Sequence, residues 1–239
     1  MKKILIYGGS GAVGSQVAQM LHEKGYPLHL VGTNEKRLLE VAEKLKATYT
    51  LADVTDPEAF EKVAQDAGRE LGGLVYAVGT INLKSLRRLT ADDFLTDFRI
   101  NAMGAALAVQ AALPALKKGG PDSSIVLYSS IAARHGFFLH GSIGMAKGAV
   151  EGLMVSFAAE LAPGIRVNAV APSLLDQSPL SAGILENPDT RESISSYHPL
   201  QRLGTPRDIA AMTVFLLSSE ASWITGQVMA VDGGRSVIP

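Results

Sequence analysis

The sequence has no cysteine, which excludes a disulfide framework, a thiolate nucleophile and any cysteine-based metal site. It also lacks an excess of either charge: 22 Lys and Arg against 23 Asp and Glu leave a formal net charge of −1. That balance offers no electrostatic case for nucleic acid or an anionic membrane as partner. Long hydrophobic runs are missing too. The longest candidate, Ala102 to Leu116, is broken by Gly104, Gln110 and Pro114, and no uninterrupted stretch approaches the roughly 18 residues of a membrane span. Lys2 and Lys3 precede only the short apolar run Ile4–Tyr7, too brief for a signal-peptide core, so a cytoplasmic location is expected. His22, His135 and His198 stand at no metal-ligand spacing from one another or from carboxylates; no metal is expected, and each is read as a surface or loop residue.

What is present is enough apolar chain, 47% of 239 residues, to bury a substantial core. With neither a linker nor an internal repeat, residues 1–239 read as a single domain. Ile4–Tyr7 runs into Gly8-Gly9-Ser10-Gly11-Ala12-Val13-Gly14, after which Val17, Met20 and Leu21 recur at helical spacing. Strand, glycine turn and helix in that order suit a pyrophosphate, which must approach backbone N–H groups at a helix N-terminus where side chains would block it.

A second strand, Leu28–Gly32, precedes a polar helix from about Asn34 to Lys46, and a third leads into Ala52-Asp53-Val54. Leu74–Gly79 supplies a fourth strand, followed by a long helix from about Ala91 to Leu116. Ser124–Ser130 is the fifth strand, Gly144–Leu161 a helix, and Ile165–Ala171 a sixth strand ending at Pro172. A polar, Pro-containing stretch at about residues 173–203 interrupts the rhythm, before a helix from about Arg207 to Leu217 and a last strand, Gln227–Val231. The alternation predicts an α/β fold, Rossmann-like and doubly wound, with a seven-stranded, mostly parallel sheet.

These motifs resemble the short-chain dehydrogenase/reductase family from end to end. Gly8, Gly11 and Gly14 match its glycine loop, with Ala12 where the middle glycine usually stands. Leu200-x-Arg202-Leu203-Gly204-x-Pro206, Ile224-Thr225-Gly226-Gln227 and Val231-Asp232-Gly233-Gly234 match its C-terminal half. The resemblance implies cofactor binding by Gly8, Ser10, Gly11, Val13, Gly14, Thr33, the pair Asp53-Val54, and Ala77 and Gly79 in the turn Tyr76-Ala77-Val78-Gly79, which departs from the usual Asn-Asn-Ala-Gly. It further implies that residues from Pro172 to Gln177 cover a nicotinamide, that about 173–203 is a substrate-binding loop for a small molecule, and that the protein is a homo-oligomer, dimer or tetramer. A carboxylate at the end of the second strand would accept from the adenosine ribose. Gly32 stands there, followed by Thr33-Asn34-Glu35-Lys36-Arg37, which favours NADP(H), with NAD(H) the alternative.

The chemistry of such a protein falls between Ser129 and Lys147. The resemblance implies that Lys147 hydrogen-bonds the ribose, that Ser130 (Ser129 as fallback) polarises the substrate oxygen, and that Asn101 holds a water in a proton relay. The family's proton-exchanging tyrosine, four residues before the lysine, is replaced by Ile143, whose branched alkyl side chain carries no proton. Three explanations stand. His140, seven residues before Lys147, could replace the tyrosine, as in the Tyr-x6-Lys spacing of the enoyl-acyl-carrier-protein reductase branch, provided the helix already includes it. A water held through Asn101, Ser130 and Lys147 could supply the proton instead. Or the protein binds cofactor with its catalysis impaired. The expected activity is hydride transfer to or from a carbonyl, alcohol or enoyl group.

Overall fold

Short apolar runs, flanked by glycine and polar turn residues, form the strands of one sheet. In the computed structural model, which describes residues 1–238, these are β1 (Lys3–Tyr7), β2 (Leu28–Gly32), β3 (Thr48–Leu51), β4 (Leu71–Tyr76), β5 (Ser123–Tyr128), β6 (Ile165–Pro172) and β7 (Val228–Val231). Their order is β3-β2-β1-β4-β5-β6-β7, and every neighbouring pair is parallel, so the sheet is wholly rather than mostly parallel. Parallel strands need crossover connections, and the helices that make them cover both faces.

The period of two along β1 sorts its side chains between two cores. Ile4 and Ile6 pack with Val17, Leu30, Leu38 and Val214 beneath α1 (Ala12–Glu23), α2 (Glu35–Leu45) and α9 (Pro206–Leu217). Leu5 and Tyr7 face the opposite layer, with Val63, Leu116, Leu127 and Met154 of α3 (Ala59–Ala67), α5 (Gly104–Lys118), β5 and α6 (Gly141–Leu161). Each fully buried side chain of this kind contributes about 1.5–3 kcal/mol relative to exposure. The chain winds outward from β1 to β3 and then returns to β4. That reversal opens a crevice at the carboxyl ends of β1 and β4, where the glycine loop and the turn Ala77–Gly79 both emerge.

Three sequence expectations change. The helix expected from Ala91 to Leu116 is two helices, α4 (Ala91–Phe98) and α5, joined by a π-turn at Arg99–Met103. There the Gly104 N–H reaches back to Arg99 O, and Tyr76 Oη donates to Ile100 O at 2.7 Å, an insertion that a Cβ at Gly104 would overlap. By length and composition alone the run Ala91–Lys118 could cross a membrane; half of its most apolar window is buried here, and α5 packs on β4 and α3. The stretch 173–203 also contains helices, α7 (Pro179–Leu185) and α8 (Pro188–Ser196), each opened by a proline whose fixed φ suits the first turn. Finally, α6 starts at Gly141 rather than Gly144, while β4 and β5 end at Tyr76 and Tyr128, short of Gly79 and Ser130.

Candidate active site

The glycine loop is built by backbone contact. A Cβ on Gly8 would sit 2.5 Å from Ala77 O, and one on Gly14 would overlap Gly8 O. Gly9, which the motif reading passed over, is equally constrained, because its Cβ would lie 2.9 Å from Leu30 Cβ. Gly11 caps α1 without a side-chain hydrogen bond and no acid occupies the first turn. The leading N–H groups, from Ala12 to Gly14, therefore have no intrahelical partner and meet no competing carboxylate. This cradle fits the pyrophosphate of a dinucleotide.

At the end of β2, a Cβ on Gly32 would lie 2.9 Å from Ser10 Oγ, so the serine hydroxyl fills the place where an acidic side chain would begin. Thr33, Lys36 and Arg37 are exposed beside it, and Asn34 caps α2 by accepting from Arg37 N at 3.0 Å. Two cations in the first turn of a helix oppose its dipole. Asp53 is exposed just beyond β3, its Oδ1 accepting from Thr55 N and Oγ1 at 2.8 Å each, with Val54 half-buried beside it.

Beyond β4 the polar machinery is buried. Lys147, on α6, donates to Tyr128 O at 2.9 Å, and burial lowers its pKa to about 8 against the opposing field of Asp97. Asn101, presented by the π-turn, donates from Nδ2 to Thr80 Oγ1 at 2.9 Å and to Asp97 O at 2.8 Å, while Thr80 donates onward to Asp97 Oδ1 at 2.6 Å. The amide is thereby oriented. Its Oδ1 is buried without a partner, and it lies 3.0 Å from the place a Gly79 Cβ would take, with Lys147 Nζ 3.3 Å from the same point. A buried unmatched acceptor costs about 1–3 kcal/mol. Both groups thus converge on Gly79, which with Lys147 lines the adjoining cavity.

A cavity of about 280 Å³ opens beside this cluster, lined by Val13, Ser130, His140, Ile143, Lys147 and Pro172 among others. Ser130 accepts from Ala132 N at 3.1 Å and keeps its hydroxyl proton, whereas Ser129 donates to Glu151 at 2.8 Å. Ser130 is therefore the available hydroxyl. Ile143 is buried and lines the cavity. His140 is the residue before α6 and not within it, with Gly144 N bonding its carbonyl at 2.8 Å. That i,i+4 bond makes His140 the N-cap of α6, and its side chain lines the same cavity as Lys147. Its Nδ1 lies 2.7 Å from Phe138 O, which can only accept, so Nδ1 carries the proton and Nε2 is left as the reactive nitrogen. Tyr128 cannot substitute: its hydroxyl donates to Thr213 at 2.6 Å, under α9 on the other face of the sheet.

Sequence reasoning missed several members of the site. Asp97 and Thr80 orient Asn101, yet each lies in a stretch that reads as ordinary helix or loop. His198 was expected on the surface or in a loop; it lies in the loop after α8, but buried, where Nδ1 donates to Ile194 O and Nε2 accepts from Ser173 Oγ, both at 2.8 Å, tying α8 to the end of β6. Arg235 reaches the cavity from the C-terminal segment. Among the described residues, no group of three His, Cys, Asp or Glu side chains could hold a metal ion.

The family model described as enoyl-(acyl carrier protein) reductase matches residues 9–236. A tropinone reductase homolog of Arabidopsis thaliana is 34% identical over 98% of this chain and 78% of its own. A short-chain type dehydrogenase/reductase from Mycobacterium ulcerans superposes with a TM-score of 0.92 at 30% identity, over 99% of this chain and 90% of that one. ElxO, solved with NADP bound, does so at 0.88 and 31% identity, covering 98% of this chain and 99% of its own.

Proposed function

This chain belongs to the short-chain dehydrogenase/reductase family, and from that premise we propose that it interconverts a carbonyl and an alcohol on a small-molecule substrate, with NADP(H) as cofactor and a bound water as the immediate proton carrier. The observation that carries this reading is the pair formed by the orphaned Asn101 Oδ1 and Lys147 Nζ across Gly79. On this reading the pair takes over proton handling, with Ile143 standing four residues before Lys147.

Bound NADP(H) supplies or accepts the hydride at the substrate carbon. The chain's own residues do the rest. Ser130 donates its hydroxyl proton into a hydrogen bond with the substrate oxygen and so polarises the carbonyl. A water accepting from Lys147 and donating to Asn101 Oδ1 delivers a proton to that oxygen as negative charge develops, and the Lys147 ammonium returns one to the water. One hydride and one proton convert the ketone to the alcohol, and the reverse direction runs through the same groups. Gly8, Ser10, Gly11, Val13 and Gly14 would hold the pyrophosphate, Thr33, Asp53, Val54, Ala77 and Gly79 would serve the adenosine side, and Pro172 would cover the nicotinamide. The exposed Lys36 and Arg37 beside Gly32, which outnumber Glu35 in the first turn of α2, support NADP(H) over NAD(H), since a 2′-phosphate would add a second negative charge beside them. Apolar residues exposed on α4 and α6, including Leu95, Phe98 and Val155, support pairing with a second copy.

Stopped-flow reduction of ketone, β-ketoacyl thioester and enoyl thioester panels tests the chemistry. Asn101→Ala should lower kcat by about 10- to 100-fold with little change in NADPH affinity, and His140→Phe should stay within about threefold of the parent. A large loss in His140→Phe transfers the proton role to the imidazole. Tight NADPH binding with no turnover anywhere in the panels would mean that the protein is a catalytically impaired binding member of the family.

A further inference from the structure

Among the described residues, the cavity lining holds two charged side chains, Lys147 and Arg235, and no side-chain carboxylate. Lys147 is committed to Tyr128 O and to the water site. Arg235 is committed to nothing polar. Its guanidinium carbon lies 4.9 Å from the Phe137 ring centroid and 5.6 Å from that of Tyr197, and among the described residues its side chain makes no hydrogen bond or ion pair. Asp232, the nearest acid in the chain, accepts instead from Gly234 N and Ser236 N at 2.9 Å each, which shapes the turn that presents Arg235. Burial pulls the guanidinium pKa down, against the weaker opposing fields of Tyr197 and Asp232, neither of which hydrogen-bonds it.

The two aromatic rings hold the guanidinium in place while leaving its N–H edge open, since stacking uses the faces and not the donors. Phe137 continues the stack to His140, the rings 5.4 Å apart, so that Arg235 shares one wall of the cavity with the residues beside Ile143. The remaining walls are largely apolar, with Leu180, Ile184 and Ile194 contributed by α7 and α8. A fixed, unpartnered planar fork in an otherwise apolar cavity is complementary to one planar anion of single charge.

We infer that the substrate carries a carboxylate, bound by Arg235, in addition to the carbonyl or alcohol that reacts at Ser130: the substrate class is an oxo acid or the matching hydroxy acid. This rests on the redox reading above for the identity of the reacting group, though not for the recognition of the anion.

The test uses pyruvate, acetoacetate, levulinate and 5-oxohexanoate, each against its methyl ester. NADPH oxidation and calorimetric binding to the cofactor-loaded protein are both measured. At least one acid should exceed its ester by about tenfold or more in kcat/KM and in affinity. In Arg235→Gln that ratio should fall to near one through loss on the acid, with NADPH affinity retained; Arg235→Lys, which keeps charge and loses the fork, should be intermediate. A ratio that survives in Arg235→Gln, an equal loss on acid and ester, or no acid preference in the parent would overturn the inference. The two readings fail separately. Acid preference in binding without NADPH oxidation would sink the redox reading alone, and oxidation with neutral ketones but no acid preference would sink the carboxylate alone.

Discussion

Burial gives Lys147 a double role. Desolvation brings its pKa down to about 8, yet the group stays mostly protonated at neutral pH because Asp97 opposes the shift. An ammonium that recharges a water must hold its proton, so carbonyl reduction should be fastest below pH 8 and fall as pH rises through about 8. The oxidation direction, which needs a proton acceptor, should rise over the same interval. Initial rates in both directions between pH 6 and 10 check this, and coincident profiles in the two directions would sink it. At this scale the sequence was legible in placement: Lys147 and Ser130 line one cavity, and Asn101 approaches Gly79 beside Lys147. It was opaque where the role comes from a tertiary neighbour. Nothing local to Asp97 or Thr80 announces that they orient an amide, and nothing in Arg235 reveals that Phe137, far away in the chain, will stack on it.

Elements carry that residue-level chemistry by being slightly wrong as regular structures. The π-turn at Arg99–Met103 turns Asn101 toward Gly79, and π-bulges of this kind concentrate at functional sites. Its cause lies across the fold, in the Tyr76 hydroxyl held by Ile100 O and in the missing side chain of Gly104 that makes room for it. Tyr76→Phe should therefore cost about 1–2 kcal/mol in chemical denaturation and lower kcat, since it leaves a buried carbonyl unmatched. Gly104→Ala should cost more alone than on the Tyr76→Phe background, where the colliding oxygen is gone; additive costs would refute the coupling. The periodicity that announced a continuous helix from Ala91 was correct for each half and silent about the join, because a cross-sheet hydroxyl leaves no trace in local spacing. The helices α7 and α8 were obscured for the opposite reason. Their prolines read as interruption, although Pro179 and Pro188 follow Ser178 and Asn187 in the arrangement that starts a helix, and Asn187 does accept from the first-turn N–H groups.

For the molecule as a whole, a net charge of −1 leaves little self-repulsion, so acid sensitivity depends on individual buried groups rather than on the summed field. His29 is the group that decides it. In the middle of β2, its side chain is buried against β3 and α3. Thr50 donates its hydroxyl proton to Asp66 at 2.7 Å, so its oxygen accepts from His29 Nε2 at 3.0 Å; Thr48 at 2.8 Å then donates to Nδ1 of the neutral ring. Burial, assisted by Lys3, lowers the imidazole pKa to about 4. The unfolded chain takes up a proton near pH 6.5 that the folded chain refuses until about pH 4, so stability falls as pH drops through that window and is level above it. The shift corresponds to about 3 kcal/mol, a large part of the margin that keeps a single domain folded. Urea unfolding at pH 7 and pH 4.5 should show this loss in the parent and a much smaller one in His29→Gln. Equal slopes against pH in the two proteins would place the acid sensitivity elsewhere.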